Sequence, residues 1–451
     1  MSVPTKSTAV VKAGEAAHYS LACLACGKRF ADTEQGFLLA CDESHAPALL
    51  RAEYTAGRLE IERELEGIFR YAGWLPVRRA LPGAQAPVVF RSERLASRLG
   101  LERLYIGFSG WWPEKNARLS SCSFKELEAL SICARIPAHE RRTMMIASAG
   151  NTGRSFLQIA SEQGIKVCVV VPESALPAMW ITAPKHPDVV LAALEGDADY
   201  SDAIRLAALL AELPECYAEG GARNVARRDG MGVVVLAAAE VTGEIPAHYV
   251  QAVGSGTGGI AAWEMSQRLL ADGGYGRRNM RLHFVQNEPF TIMTDAWNRS
   301  SRELPELPEA EAREQISRLH SPVLSNRHPP YALQGGVYDA LTAANGAMYA
   351  VSNDEAREAG ALFTDSEGCD LDPAAEVALA GLIQAVEKGN IPPAESVLFN
   401  ATGGGYRRLA EDRQAQQLEP DIRFTMEDLE KGTAAAKLRE RVSSRKADTR
   451  R

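Results

Sequence analysis

Between Arg141 and Val285 the spacing of apolar positions switches repeatedly between two periods. Runs at Thr143 to Ala147, Lys166 to Val171, Val189 to Leu194, His248 to Val253 and Arg281 to Val285 are nearly continuous in apolar residues, as strands buried on both faces are. Between them, Thr152 to Gln163, Tyr200 to Leu210, Ala222 to Val241 and Gly259 to Leu270 carry apolar residues at helical spacing, with Gly or Asp near their starts. Strand and helix in alternation predict the α/β class, parallel sheets flanked by helices. Glycine-rich turns follow the Thr143 and His248 strands, at the strand-to-helix edge where such sheets bind ligands. Two such turns predict two sheets facing one cleft.

The two ends read differently. Residues 1 to about 75 lack the alternation and form an N-terminal extension, in which Leu49 to Phe69 is mostly helical by pattern. From Glu411 the chain turns polar and charged, with an amphipathic helix predicted at Met426 to Val442 and a closing basic stretch that cannot bury much. That last part is expected to be a solvated tail.

Composition narrows the class. The 451 residues, 46% of them hydrophobic, suffice for two or three packed domains. A net charge of −8 gives no global attraction to nucleic acid or to an anionic membrane surface. Met1 to Ala17 lacks an apolar core of secretory length, and no stretch approaches the roughly 18 apolar residues of a membrane span. The expected location is the cytoplasm. Eight cysteines are scattered along the chain, without the density of a disulfide scaffold. Only Cys23 and Cys26 are close together. With Cys41 and His45 they have the spacing of four tetrahedral zinc ligands, or else they are ordinary residues of a degenerate ribbon; both readings stand, and no metal ligand is assigned.

Four segments carry candidate chemistry. In Ser121-Cys-Ser-Phe-Lys125-Glu-Leu-Glu128, apolar Phe124, Leu127 and Leu130 would anchor a helix that presents Lys125 at its start. The positive end of a helix dipole disfavours an ammonium, which suits an amine nucleophile toward an aldehyde cofactor, although a lone helix-start lysine is as readily a solvated one. In Ser148-Ala-Gly150-Asn151-Thr152-Gly153, backbone N–H groups and small hydroxyls can hold a carboxylate, and the Asn151 amide can bond a phenolic oxygen; a plain turn uses the same residues. Gly254-Ser255-Gly256-Thr257-Gly258-Gly259 has the form of a phosphate cradle. It also satisfies the dinucleotide pattern, with Glu288 as the ribose-binding acid, but that acid lies farther along the chain than the roughly 20 residues expected. In Val397-Leu-Phe-Asn400-Ala-Thr402-Gly403, a hydroxyl ends a short strand. Facing a pyridine nitrogen, such a neutral group leaves the nitrogen unprotonated, which suits β-elimination.

The order of these four segments resembles that of the fold-type II pyridoxal 5′-phosphate (PLP) enzymes, the tryptophan-synthase-β group. Over nearly its whole length, including the N-terminal Cys-x-x-Cys-Gly, the chain is similar to the threonine synthase branch. Within that branch it is most similar to the cysteate synthases, through Trp112-Pro-Glu-Lys115, Cys122 to Ala129, Ala147 to Arg154 and Gln286-Asn-Glu-Pro-Phe290. Some members of the branch carry a second Cys-x-x-Cys where this chain has Cys41 and His45. The resemblance implies that Lys125 binds PLP covalently, Asn151 bonds the ring oxygen, Gly254, Gly256, Thr257, Gly258 and Gly259 hold the phosphate, and Thr402 pairs with the pyridine nitrogen. It implies a β-replacement on O-phospho-L-serine with sulfite, giving L-cysteate and phosphate. Its rivals are threonine synthase acting on O-phosphohomoserine and a cysteine synthase or β-eliminating lyase. Because leaving group and nucleophile are both anions, Lys115, Arg118 and Arg154 are candidate substrate-binding cations beside Ser148 and Thr152. The expected domains are the extension (1–75), a larger phosphate-binding domain (76–119 and 246–410), a smaller domain with Lys125 and the Asn151 loop (120–245) and the tail (411–451). The expected partners are small molecules only, in a homo-oligomer.

Overall fold

The computed structural model describes residues 8–9, 18–32, 36–137 and 139–440, and the chain divides into two units, each described here by itself. The larger comprises Met1–Thr33, Leu38–Ile136 and Gly221–Arg413. Its six-stranded sheet runs in the order Ala347–Val351, Arg281–Asn287, His248–Ala252, Ser396–Ala401, Arg103–Phe108, Val88–Arg91. All pairs are parallel except the last, where Val88–Arg91 lies antiparallel at the edge. From His248–Ala252 the chain steps one way, to Arg281–Asn287 and then Ala347–Val351; Ser396–Ala401 fills in on its other side. That reversal leaves a crevice outside the carboxyl ends of His248–Ala252 and Ser396–Ala401, the place where open α/β sheets bind ligands. The buried helix Pro373–Glu387 packs on the central strands, and Val225–Thr242 packs between the helices Lys125–Arg135 and Thr257–Asp272.

The smaller unit, Glu34–Phe37, Pro137–Gly220 and Gln414–Arg451, holds a five-stranded, all-parallel sheet. Its order is Cys216–Ala218, Thr143–Ala147, Val167–Pro172, Val189–Leu194, Ile422–Phe424. Every residue of Val167–Pro172 and Val189–Leu194 is buried, as their uninterrupted apolar runs require.

Three expectations change. Leu49 to Phe69 is not helical: Leu50–Tyr54 is the edge strand of an antiparallel three-stranded ribbon with Tyr19–Cys23 and Arg29–Phe30, and a 3-10 helix begins only at Gly67. Leu50 and Ala52 alternate into a small core with Leu21 and Cys23, so a period of two outweighs the helical spacing. The C-terminal segment is not a solvated tail. Ile422–Phe424 is a strand of the smaller sheet, Gln416–Gln417 pairs with Trp180–Ile181, and Leu429, Ala434 and Leu438 join Phe424 in its core. The predicted helix over 426–442 is broken after Glu430 near Gly432, whose φ of +69° ends a helix readily; the basic end beyond 440 lies outside the described residues. Finally, Lys125 belongs to the larger unit rather than sharing one with the Asn151 loop, because its helix packs against Val225–Thr242.

Candidate active site

Lys125 opens the helix Lys125–Arg135, as its apolar spacing predicts. The segment leading into it is pinned to the end of the Ser396–Ala401 strand: Ser123 and Gly403 form an antiparallel bridge, Phe124 N donates to Thr402 O at 2.8 Å, and Gly404 N donates to Cys122 O at 3.2 Å. Two chain segments far apart in sequence, those of Lys125 and Thr402, are thereby held side by side by main-chain bonds. The approach is so close that a Cβ on Gly403 would lie 2.6 Å from Cys122 O. Cys122 itself has φ of +52°, an unusual conformation for a residue with a side chain and one that the surrounding contacts must hold in place.

The glycine loop meets the same place. It leaves the carboxyl end of His248–Ala252, the strand paired with Ser396–Ala401, and leads into the helix Thr257–Asp272. Each glycine has its own reason. A Cβ on Gly254 would come within 2.8 Å of Val323 O, one on Gly258 within 3.0 Å of the Phe124 ring, and one on Gly259 within 2.2 Å of the Phe284 ring. Gly256 has φ of +75° as well as Val337 closing on it. The loop is thus a bare backbone at a helix N-terminus, where the first N–H groups have no acceptor within the helix. Ser255 and Thr257 hydroxyls lie 2.8 Å apart beside them. Thr257 N donates to Ser255 Oγ at 3.3 Å, and the backbone donors and hydroxyls gathered here fit a phosphate. Phe124 touching the Gly258 position places the loop beside the Lys125 segment.

Beneath the loop lies a buried polar layer that the sequence reading did not anticipate. Tyr249 donates to Gln251 Oε1 at 2.5 Å, and Asn400 Nδ2 donates to Tyr249 Oη at 2.7 Å and to Gln251 Oε1 at 3.2 Å. Gln251 is the group that a side chain at position 258 would strike. Burial pushes the Tyr249 hydroxyl well above its ordinary range, so it stays a donor.

Two more residues went unpredicted. Lys125 Nζ lies 3.4 Å from Glu128 Oε2 and 3.6 Å from Met231 Sδ, and the other oxygen of Glu128 takes a 2.9 Å hydrogen bond from Arg227. Glu128 is fully buried, and a buried carboxylate is tolerated only when paired in this way. Glu128 was legible as the i+3 neighbour of Lys125 on a helix. Arg227 was legible only as one of several charges at the start of a largely apolar helix, beside Arg228 and Asp229, and its partner was not legible.

The other sequence candidates fall into two groups. In the smaller unit, the Ser148 hydroxyl is spent within its own turn, accepting from Gly153 N at 2.7 Å and Gly150 N at 3.1 Å. Asn151 and the half-buried Thr152 open the helix Asn151–Gln163. Arg154 is buried, stacks over Trp180 and donates to Asn151 Oδ1 at 2.6 Å. This holds the amide's oxygen on the guanidinium. In the larger unit, Lys115 is exposed with its ammonium 4.5 Å from the Phe90 ring centre, and Arg118 is exposed on the short pair Trp111–Trp112 with Ala117–Arg118. Among the described residues, neither cation forms a hydrogen bond or ion pair with Lys125, the glycine loop or Thr402. Glu288, the acid of the dinucleotide alternative, is exposed just past the strand Arg281–Asn287.

Comparison with known proteins decides between the alternatives. Residues 89–403 match the family model described as pyridoxal-phosphate dependent enzyme. The cysteate synthase of Methanosphaerula palustris is 50% identical over 398 residues, covering 87% of this chain and 91% of that protein. The cysteate synthase of Methanosarcina barkeri is 46% identical over 404 residues, covering 89% and 96%. In fold, 72% of the chain superimposes on maize serine racemase, with a TM-score of 0.52 at 12% identity over 91% of that chain. A further 72% match is the processed form of threonine deaminase isoform 2 from Solanum lycopersicum, at 0.50 and 18% identity over 86% of it. The chain therefore belongs to the pyridoxal-phosphate-dependent enzymes, within the cysteate synthase family.

Proposed function

We propose that the enzyme replaces the phosphate of O-phospho-L-serine by sulfite, forming L-cysteate and inorganic phosphate. The observation that carries this reading is the convergence of Lys125, the Gly254 to Gly259 loop and Thr402 at one sheet edge, in a chain about half identical to cysteate synthases. Gly254, Gly256, Thr257, Gly258 and Gly259 would hold the PLP phosphate, Lys125 its aldehyde carbon, Thr402 the pyridine nitrogen and Asn151 the ring oxygen. Bound PLP supplies an electron sink for the pair left on Cα when its proton departs.

Lys125 Nζ is the base that takes the α-proton and later returns it. Glu128, 3.4 Å away and anchored by Arg227, holds that amine in place and stabilises its protonated form. When the Cβ–O bond breaks, its electron pair leaves with phosphate; the sulfite lone pair then forms the C–S bond at Cβ. Ser148, Thr152 and Arg154 are kept as the substrate-binding group. Ser148 and Arg154 act by shaping the turn that presents Asn151 and the backbone N–H groups, while Lys115 and Arg118 are kept as outer cations that draw in the anions. The reading places the reaction in the cytoplasm, in a homo-oligomer with small-molecule partners.

The test is phosphate release from O-phosphoserine with and without sulfite, alongside cysteate formation, in the native enzyme and in Lys125→Ala. Sulfite-dependent cysteate that disappears in the variant supports the reading. Turnover of O-phosphohomoserine in place of O-phosphoserine overturns it in favour of a threonine-forming reaction.

A further inference from the structure

The ribbon of residues 18–54 brings together four groups that the chemistry of Lys125 does not use. Cys23, Cys26, Cys41 and His45 come from two segments of the ribbon, and their Sγ and imidazole nitrogen atoms all lie within 4.8 Å of one another. Cys26 Sγ and Cys41 Sγ are 3.7 Å apart, and Cys23 Sγ and His45 Nε2 are 3.3 Å apart. A tetrahedral zinc ion with Zn–S of about 2.3 Å and Zn–N of about 2.0 to 2.1 Å sets its ligands about 3.8 Å apart for two sulfurs and about 3.5 Å for sulfur and nitrogen. The observed spacings are those of a coordination shell. They are far longer than a disulfide, whose sulfurs stand about 2.05 Å apart.

Two features beyond the donor atoms point the same way. His45 Nδ1 lies 2.7 Å from Ala46 O; donating there, it fixes the tautomer that turns a bare Nε2 lone pair toward the thiols, the usual arrangement of a metal-bound histidine. Ala25 N donates to Cys23 Sγ at 3.4 Å, and the turn between the first two cysteines closes through Gly27 N to Cys23 O at 2.9 Å, with Gly27 at φ of +73°. Backbone N–H groups aimed at sulfur stabilise a thiolate. We propose that Cys23, Cys26, Cys41 and His45 bind one structural zinc ion per chain. Four protein ligands leave no position open, so the ion fastens the ribbon and takes no part in catalysis.

What it fastens is next to the cofactor loop. Leu24, between the first two ligands, packs on Gly335 so closely that a Cβ there would lie 2.2 Å from Leu24 Cδ1, and Gln334 bonds Leu24 O at 2.9 Å. Two residues on, Val337 is the side chain that closes on Gly256.

The experiment is elemental analysis of the full-length, PLP-loaded protein after gel filtration, followed by replacement of the bound ion with cobalt(II). One zinc per chain is expected, and the cobalt form is expected to show the intense visible bands of a tetrahedral thiolate site. Stripping the ion is expected to speed hydrogen exchange at the Cys23 and Gly27 amides by about tenfold or more, with the 248–259 segment retaining its protection. Cys26→Ser combined with Cys41→Ser is expected to reduce zinc to below about a tenth of an equivalent. Protein that carries no zinc and takes up neither zinc nor cobalt overturns the proposal. So does a Cys26–Cys41 disulfide, seen as six rather than eight titratable thiols after denaturation.

Discussion

The two parallel sheets of this enzyme are built from opposite kinds of strand. In the smaller unit, Thr143–Ala147, Val167–Pro172 and Val189–Leu194 are apolar throughout apart from the opening threonine. In the larger unit, the central strands His248–Ala252, Arg281–Asn287 and Ser396–Ala401 bury two histidines, a tyrosine, two glutamines and two asparagines. Buried polar groups are costly unless paired, and nearly all of these are: Tyr249, Gln251 and Asn400 bond one another under the glycine loop, with only Asn400 Oδ1 left over, while His248 and His283 form a chain with Glu395 and Tyr349. An apolar sheet only has to be filled; a polar one has to be satisfied atom by atom, which fixes one arrangement. The more exacting layer lies directly beneath the loop proposed to hold the phosphate.

The largest effect is expected in the loop above that layer. Gly259→Ala places a Cβ 2.2 Å from the Phe284 ring, and the loop must shift to admit it. The variant is expected to purify without the PLP absorbance band and to bind added PLP about 100-fold more weakly or worse, a loss of about 2.7 kcal/mol or more. Retention of full affinity would show that the loop tolerates displacement. In the apolar sheet, Leu191→Ala empties a fully buried site and should cost about 2 to 5 kcal/mol of stability in denaturant titration. Its PLP affinity should stay within about twofold of the native value, since Leu191 belongs to the other sheet.

Acid is expected to separate the sheets next. Burial pushes His283 down to about 3, with His248 and Arg281 adding to the shift, and burial lowers His248 as well against the pull of Glu395. In the unfolded chain both titrate near about 6.5. Their contribution to stability is therefore intact above about pH 6.5 and is lost as pH falls below it, toward about 3 for His283, because the unfolded chain takes up the protons first. The expected slope is about 1.4 kcal/mol per pH unit for each histidine. The strands of the smaller sheet contain no histidine, so hydrogen exchange as a function of pH should show the larger sheet loosening first. Equal acid sensitivity in both would contradict this. The smallest effect is expected for Asn400→Leu. It removes two donated bonds but also a buried Oδ1 that has no partner, so the net cost in a melting experiment should be only about 1 kcal/mol.

Much of this was legible in order and type. The runs 143–147 and 189–194 match their strands residue for residue, the helix at Lys125 starts where its apolar spacing puts it, and the helix read from Thr152 starts one residue earlier, at Asn151. The lysine, the glycine loop and the hydroxyl after the Ser396–Ala401 strand were readable because each needs a particular residue type in a particular local setting. Glu128 was one helical turn from Lys125, but its burial and its Arg227 partner are properties of the packed helices. The C-terminal strand was hidden by its composition: Ile422 and Phe424 flank an exposed arginine, too short a pattern to declare a strand until Val189–Leu194 supplies an edge to pair with.

The sequence by itself determined the α/β alternation and which residues are candidates for the chemistry, the glycines among them, since these depend on local period, backbone freedom and side-chain type. Only the tertiary structure decided which of them meet. The bridge of Ser123 to Gly403 joins segments nearly three hundred residues apart and puts Lys125 beside Thr402. The ribbon's pairing likewise brings two cysteines, a third and a histidine into one cluster. Such meetings follow from which strands pair and which helices pack, and that is settled by burial summed over the whole chain.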